Sequence, residues 1–380
     1  MTSAPVPDDL PATALTATRN RLIESIRPVE GLKFTDCAGD PILSGPEPVK
    51  EVRALMNPGH PIIGIEEHYS DAEVEACYPT SERIQVQPLV ERLHSFGELR
   101  LKEMDEAGID LQVVSQNAPG LQMVDPERAL GLAQRANDRL HDVVRANPTR
   151  FAAFASLPTA HPQAAADELE RTVTKLGFKG GIINGLTHGS FLDERRFWIL
   201  LERAHELDVP LYLHPSWPHP KVAELYFGEY MKEYQLTLRG VWGFNIETAT
   251  QALRLVLSRV LDRYPRLQFL VGHLGETLPY MFWRLDQTLQ LERRAAANSN
   301  LVNSVRDYFR RHFHFTTSGQ FSTPAFNCCL EEMGIDRLMF SVDYPFMNNV
   351  KGVQWAQSLP LCVEDRAKLM GGNAKRVLKL

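Results

Sequence analysis

Short apolar segments alternate with amphipathic patterns along the chain from residue 61 onward. Eight of these segments have the length and apolar character of buried strands: PIIGIEEH, IDLQVVSQN, FAAFASLP, GGIINGL, VPLYLHP, LQFLVGHLG, HFHFTTS and LMFSVDYP. Helical patterns such as ELRLKEMDEAG and QAAADELERTVTKLG lie between them. Strands that alternate with helices are typical of a parallel sheet. Eight of them predict an α/β fold of the (β/α)8 TIM-barrel class.

The segment ETATQALRLVLSRVLDRYP shows the helical pattern most clearly. Its apolar residues recur every three or four positions, which predicts one buried helix face formed by Ala249, Leu253, Val256, Leu257 and Val260. We therefore expect a single long helix here, packed on the outside of the barrel.

The alternation divides the chain into two parts. Residues 61–380 are predicted to form a single barrel domain, since such a barrel commonly needs about 250 residues or more. Residues 1–60 are rich in Pro, Ala, Thr and Asp and lack the alternation. We expect them to be an N-terminal arm that lies on the barrel or on a neighbouring subunit.

Composition narrows the possible partners. The net charge is −6 and no basic stripe stands out, so we do not expect a nucleic-acid partner. The longest apolar stretches are too short to span a bilayer, and the N-terminus lacks the pattern of a secretion signal. The five cysteines are scattered without a CxxC motif, which favours free thiols in the cytoplasm.

Most of the predicted strands end in a polar residue that can take part in chemistry: His68, Asn117, Asn184, His214, His273 and Asp343. In a barrel the carboxyl ends of all strands meet on one face, where active sites lie. Taken singly, each residue has a structural explanation, such as a histidine bonded to a carbonyl or an aspartate capping a turn. Together they predict one functional cluster.

The first strand ends in IEEHY, in which Glu66 and His68 are two residues apart and share a strand face. By themselves they are consistent with an ion pair, an acid–base pair or two ligands of one metal ion. Grouped with His214 and Asp343 they offer two oxygens and two nitrogens. This donor set suits Zn²⁺, Mn²⁺ or Fe²⁺ better than Ca²⁺, so we favour a divalent metal site.

Four motifs, IEEHY, YLHP, VGHLGETLPYMFWRLD and SVDYPF, resemble those of the amidohydrolase-2 group of the amidohydrolase superfamily. Within that group the chain is most similar to γ-resorcylate, 2,3-dihydroxybenzoate and 5-carboxyvanillate decarboxylases, and QNAPG, LGFKGGIING and GGNAKRVLKL match as well. The resemblance covers roughly residues 61–380, whereas the first 60 residues have no counterpart in the shorter family members.

The resemblance implies a (β/α)8 barrel with one divalent metal ion, Mn²⁺ favoured and Zn²⁺ as the alternative. Glu66, His68, His214 and Asp343 fall on the ligand positions. His273 and Glu276 match the catalytic pair, with Asp343 as the expected acid. The residues expected to contact the substrate are Arg284, Phe346, Asn117 and Trp217; for Arg284, a salt bridge on its own helix is an equally good interpretation.

The implied reaction is the metal-dependent, non-oxidative decarboxylation of an ortho-hydroxy aromatic carboxylate by a carboxy-lyase. The alternative is a metal-dependent hydrolase or hydratase that acts on a lactone or an unsaturated diacid, because the same residues serve both chemistries. In either case we expect a small-molecule substrate. Aromatic residues in the long connection after YLHP favour a homodimer or homotetramer.

Overall fold

The computed structural model describes residues 60–296 and 301–380. The predicted N-terminal arm falls almost entirely outside the described residues, so it stays a prediction. Within the described ranges, no helix combines the length and apolar character needed to cross a bilayer.

In the part of the chain that the structure describes, the sheet consists of nine short strands: β1 Ile63–Tyr69, β2 Leu111–Gln116, β3 Phe151–Ala153, β4 Ala155–Ser156, β5 Gly181–Asn184, β6 Leu211–His214, β7 Phe269–Val271, β8 Phe313–Thr316 and β9 Leu338–Met339. Every pair of neighbours is parallel, in the order β1-β2-β3 and β4-β5-β6-β7-β8-β9.

Two junctions turn these strands into a barrel. β3 and β4 are two parts of one predicted strand interrupted at Phe154, whose N–H donates to the carbonyl of Val114 on β2. On the other side, Tyr344 beyond β9 forms a parallel bridge with Glu67 of β1, and the N–H of His68 donates to the Tyr344 carbonyl at 2.7 Å. Eight strand positions therefore surround one interior, which confirms the predicted (β/α)8 fold.

The helices surround the sheet, and most of them follow the predicted patterns. The longer ones are Gln87–His94, Glu98–Ala107, Pro126–Ala146, Pro162–Leu176, Trp198–Leu207, Pro220–Phe227, Phe244–Leu257, Leu278–Ala296, Val305–His312, Thr323–Met333 and Asn349–Ser358. Short helical segments are Ala72–Glu75, Val260–Arg263, His273–Glu276, Val363–Ala367 and Asn373–Leu378. Single turns of 3-10 helix lie at Thr80–Glu82, Arg195–Phe197, Gly228–Lys232 and Ile335–Arg337, and π-helical turns at Leu236–Gly243 and Lys368–Gly372.

The long helix predicted near residue 250 is instead divided in two. Arg259 adopts a left-handed conformation with φ of 65°, which ends the helix Phe244–Leu257 before Val260–Arg263 begins. Ala249, Val256 and Val260 are buried as predicted and Leu253 is half-buried, whereas Leu257, which precedes the break, is 52% exposed. The predicted single helix and the burial of Leu257 were therefore wrong.

Two apolar layers hold the barrel together. Inside the barrel lie alternate residues of the strands, among them Ile63, Ile65, Tyr212 and Leu270, and the C-terminal helix adds Ala374 and Leu378. The intervening strand residues, such as Leu211 and Leu213, pack outward against the helices. Because the interior is filled with side chains, polar residues at the carboxyl ends of the strands lie above a closed apolar floor.

Candidate metal centre and active site

The structure brings the four predicted metal ligands together. Glu66 and His68 lie on β1, His214 is the last residue of β6, and Asp343 follows β9. One potential ligand atom from each residue lies within 4.8 Å of those from the others. Nε2 of His68 is 3.3 Å from Oδ1 of Asp343, and Nε2 of His214 is 3.3 Å from Oε1 of Glu66. Two carboxylates and two imidazoles thus surround one point.

An irregularity in β1 explains how its ligands reach the interior. Gly64 pairs with Gln112 and Glu67 with Val114, so three steps along β1 match two along β2. Such a bulge shifts the alternation of side chains by one residue. Ile63 and Ile65 point into the apolar interior before the bulge, and Glu66 and His68 point inward after it. The bulge is therefore what aims both ligands at the cluster.

The unpaired polar atoms of the cluster fit a metal ion. Among the described residues, Oε1 of Glu66, both ring nitrogens of His68 and Nδ1 of His214 are buried without a hydrogen-bond partner. Burial of a polar atom without a partner is costly, and such atoms are uncommon in folded proteins. Of these atoms, Oε1 of Glu66 and Nε2 of His68 face the cluster, and a cation there would satisfy both of them.

The pKa values of Glu66 and His214 also favour a bound metal ion. Burial raises the pKa of the Glu66 carboxyl, because a negative charge is disfavoured away from water. Burial lowers the pKa of His214 well below its usual value, which keeps this imidazole neutral. A neutral imidazole is the form that binds metals, and a cation would offset the buried negative charge of Glu66.

Hydroxyl groups hold the second oxygen of Glu66. The hydroxyls of Tyr212 and Ser318 donate to its Oε2, and Oγ1 of Thr316 donates to the same atom at 3.2 Å. Oε2 is therefore fully engaged, while Oε1 is left for the cluster. Gly272 leaves room for this carboxylate, because a Cβ at that position would lie 2.7 Å from Oε2.

These three hydroxyls were not predicted from the sequence, although the sequence contains signals for them. Tyr212 precedes His214 by two residues and must therefore share its inward strand face. Thr316 ends β8, and Ser318 follows it by two residues. A search for hydroxyl side chains at the same spacing as the predicted ligands would have found all three.

His273 and Glu276 form a pair beside Asp343. Nδ1 of His273 lies 2.7 Å from Oε1 of Glu276, and its Nε2 lies 3.8 Å from Oδ2 of Asp343. The amide of Asn245, oriented so that its nitrogen faces Glu276, donates to Oε2 of that residue at 2.9 Å. The buried Glu276 thus fixes the direction of the imidazole, and the other end of the ring faces Asp343.

The charges of this pair influence one another. Burial by itself would lower the pKa of His273, but the carboxylates of Glu276 and Asp343 outweigh it and raise that pKa well above its usual value. Burial by itself would raise the pKa of Asp343, but hydrogen bonds from His273 and His68 outweigh it and lower that pKa to about 2. Asp343 presents one oxygen to His68 and the other to His273.

Three of the residues predicted to contact the substrate, Phe346, Asn117 and Trp217, lie in different places around the ends of the strands. The ring of Phe346 lies 5.8 Å from that of His68, and Asn117 lines a cleft with Ser70 and Arg83 at the ends of β1 and β2. Trp217 follows His214 by three residues, and its ring packs against Phe244 and Arg239.

Arg284 differs from the other predicted contacts because it is exposed on the helix Leu278–Ala296. Among the described residues, the Arg284 side chain forms no salt bridge on its helix, and no contact places it at the metal cluster.

His188 lies in a loop, where its φ is 47°. Its Nε2 lies 3.1 Å from the carbonyl of Val124.

The chain is similar to known proteins over most of its length. A family model described as amidohydrolase matches residues 68–380. Gamma-resorcylate decarboxylase from Polaromonas sp. (strain JS666) is 39% identical over 299 residues, which cover 76% of this chain and 89% of that protein.

Solved structures agree with the sequence relatives. A crystal structure of 2,6-dihydroxybenzoate decarboxylase complexed with 2,6-dihydroxybenzoate matches with a TM-score of 0.77 at 36% identity, over 84% of this chain and all of the other. Dihydroxybenzoic acid decarboxylase from Polaromonas sp. JS666, with bound manganese and the inhibitor 2-nitroresorcinol, matches with a TM-score of 0.76 at 37% identity, over 84% and 97% of the two chains.

Proposed function

We infer that this chain, which belongs to the amidohydrolase family, is a metal-dependent carboxy-lyase that removes CO₂ from an ortho-hydroxy aromatic carboxylate without oxidation. One observation carries the inference: the cluster of two carboxylates and two imidazoles, with the His273–Glu276 pair beside it, occurs in a chain 39% identical to a gamma-resorcylate decarboxylase.

Glu66, His68, His214 and Asp343 would hold one divalent ion. Mn²⁺ is favoured, since manganese is bound in the Polaromonas structure, and Zn²⁺ suits the same donor set. When bound, the ion supplies positive charge that attracts the substrate carboxylate and the neighbouring hydroxyl and favours the ionised phenol. The hydroxyls on Oε2 of Glu66 restrict that ligand to its other oxygen.

The bond between an aromatic ring and its carboxylate does not break readily, because the departing electron pair would remain on the ring carbon. Protonation of that carbon provides a place for the electrons. The C–COO⁻ bond then breaks, its electron pair restores the aromatic system, and CO₂ leaves. An ionised ortho hydroxyl assists because it donates charge to the carbon that is protonated.

We propose that Asp343 delivers this proton after taking it from His273, because the raised pKa of His273 and the lowered pKa of Asp343 leave the proton on the imidazole in the resting site. Its Oδ1 faces the cluster beside His68, whereas its Oδ2 faces His273 at 3.8 Å, so one carboxylate can be both a ligand and a proton carrier. His273 would return a proton to Oδ2 after each turnover, since general acids must be replenished from solvent. Glu276 holds Nδ1 of His273 and thereby keeps Nε2 directed at Asp343.

Four further residues remain proposed substrate contacts. Phe346 lies beside the ring of His68 and would cover one face of an aromatic substrate. Asn117 and Trp217, beyond the ends of β2 and β6, would line the pocket. Arg284 is proposed only as an anchor for a substrate oxygen, because its exposure leaves the guanidinium accessible.

We also propose a cytoplasmic homo-oligomer, a homodimer or a homotetramer. Large exposed aromatic side chains on the β6 connection support it: Tyr226 is 69% exposed, Tyr230 63% and Trp242 54%. Surfaces of this kind are commonly covered by a partner. Light scattering during size-exclusion chromatography should give a multiple of the chain mass, and a monomer would contradict the proposal.

A pair of isomeric substrates tests the reaction. Protein stripped of metal and reloaded with Mn²⁺ is incubated with 2,6-dihydroxybenzoate or with 3,5-dihydroxybenzoate, which lacks a hydroxyl beside the carboxylate. We expect resorcinol and CO₂ from the first isomer and no reaction with the second. If the metal-loaded protein leaves every ortho-hydroxybenzoate intact but acts on lactones or unsaturated diacids, the hydrolase or hydratase alternative replaces the decarboxylase.

A further inference from the structure

Glu67 lies between two of the metal ligands in the chain but faces away from them. It is 0% exposed, and the bulge in β1 turns its side chain to the outer face of the strand while Glu66 and His68 point inward. Nothing in the proposed reaction uses this carboxylate. A fully buried acid beside an active site therefore requires another explanation.

The carboxylate of Glu67 binds the backbone on both sides of Asp343. Oε1 accepts the N–H of Val342 at 2.9 Å, and Oε2 accepts the N–H of Tyr344 at 2.9 Å. The hydroxyl of Ser341 also donates to Oε1 at 2.9 Å. The two oxygens of one carboxylate thus accept from the backbone N–H groups of the residues before and after the predicted catalytic residue.

This turn needs external support. Asp343 has φ of 75°, in the left-handed region that residues other than glycine, asparagine and aspartate rarely adopt. Such a conformation persists only when surrounding contacts hold it. The two N–H bonds to Glu67 supply such contacts, because one orients the peptide plane that follows Asp343 and the other fixes the backbone at Val342.

We propose that Glu67 is a positioning residue, whose carboxylate holds the left-handed turn at Asp343 and so directs one oxygen of Asp343 to the metal ligands and the other to His273. This inference rests on the proposed roles of Asp343. It goes beyond them because the hydrogen bonds of the Glu67 carboxylate are made with Ser341, Val342 and Tyr344 rather than with the cluster.

The surroundings of Glu67 fit this role. Gly64 gives it room, since a Cβ on Gly64 would lie 2.2 Å from Oε1 of Glu67. Arg100, also 0% exposed, compensates the charge from nearby; its Nη2 donates to the carbonyl of His68 at 2.8 Å, and its guanidinium lies 4.6 Å from the ring centre of Tyr344. The strand that carries the ligands and the turn that carries Asp343 are thereby linked.

Binding of Mn²⁺ measured by calorimetry tests the proposal without requiring turnover. In Glu67→Gln the amide keeps only one acceptor oxygen, so one of the two flanking N–H groups loses its partner. We expect the affinity for Mn²⁺ and kcat each to fall about 10- to 100-fold, the range found when residues that orient metal ligands are replaced.

Glu103→Gln is the matched control, because Glu103 accepts from the side-chain hydroxyl of Tyr344 rather than from the backbone of the turn. This variant should change the Mn²⁺ affinity and kcat by less than about twofold.

The decisive comparison uses an Asp343→Asn background. If Glu67 acts through Asp343, adding Glu67→Gln there should change the Mn²⁺ affinity by less than about twofold. An equal loss of affinity in both backgrounds, or no loss in either, would overturn the proposal. Glu67→Asp, which keeps the charge on a shorter chain, serves if the glutamine variant does not fold. If neither variant folds, Glu67 is required for the fold itself and the positioning role is refuted.

Discussion

Replacing Tyr212 with phenylalanine removes one hydroxyl from the Glu66 carboxylate and leaves the aromatic ring in place. The ring packs in the barrel interior, 5.9 Å from that of Phe154, so the substitution should not disturb the apolar floor. Its direct effect is confined to Oε2 of Glu66 and to Oγ1 of Thr316, which lies 2.9 Å from the Tyr212 hydroxyl.

The expected loss of Mn²⁺ affinity depends on the hydroxyls that still donate to Oε2 of Glu66. A hydrogen bond to a charged group contributes about 1.5 to 3 kcal/mol. Ser318 and Thr316 still donate to Oε2, so we expect the lower end, about 1.5 kcal/mol. Less restraint on Oε2 lets Glu66 turn its free oxygen away from the cluster. Since about 1.4 kcal/mol corresponds to a tenfold change in affinity, Mn²⁺ should bind roughly tenfold more weakly.

Calorimetric titration of metal-free protein with Mn²⁺ measures this change. Tyr69→Phe is the matched control, because Tyr69 is also a buried strand tyrosine but packs in the outer layer, 5.2 Å from Phe96. An Mn²⁺ affinity of Tyr212→Phe within about twofold of the unchanged protein would refute the reasoning. So would an equal loss in Tyr69→Phe, since that loss would reflect general loosening.

Three further substitutions have defined outcomes. Asp343→Asn should fold but lose about 100- to 10 000-fold in kcat, because the amide carries no transferable proton; near-normal turnover would remove Asp343 from the acid role. Glu276→Gln should lower kcat at least about tenfold while Mn²⁺ affinity stays unchanged, since it orients His273 rather than the ion; a parallel loss of metal would contradict this. Glu247→Gln should make the protein more stable at pH 8 but not at pH 4. Burial raises the pKa of Glu247 to about 7, so its ionisation progressively destabilises the fold as pH rises from about 4.5 to 7. The gain is about 1 to 3 kcal/mol, and thermal unfolding at both pH values measures it.

The ligand positions could be predicted because the geometry of a parallel barrel makes them close. His68, His214 and Asp343 are far apart in the chain, yet each follows an apolar strand, and the carboxyl ends of such strands share one face. The same argument covers His273. Alternation along a strand also places Tyr212 on the inward face with His214, so the position of this hydroxyl is predictable on the same grounds.

Other features depend on contacts that leave no local pattern. The bulge in β1 lets the consecutive residues Ile65 and Glu66 both face inward, and strict alternation cannot reveal it. The interruption at Phe154 and the break at Arg259 lie within regular apolar patterns. The hydrogen bonds that Glu67 accepts from Val342 and Tyr344 join residues 275 and 277 positions apart, so only the assembled barrel shows them.

The central claim is that this chain replaces a ring carboxylate with a proton. The most direct measurement follows 2,6-dihydroxybenzoate by NMR in D₂O with the Mn²⁺-loaded protein. The account predicts resorcinol that carries one deuterium on the carbon that lost CO₂, formed only when the metal is present. Loss of substrate without that deuterium, or equal turnover by metal-free protein, would contradict it.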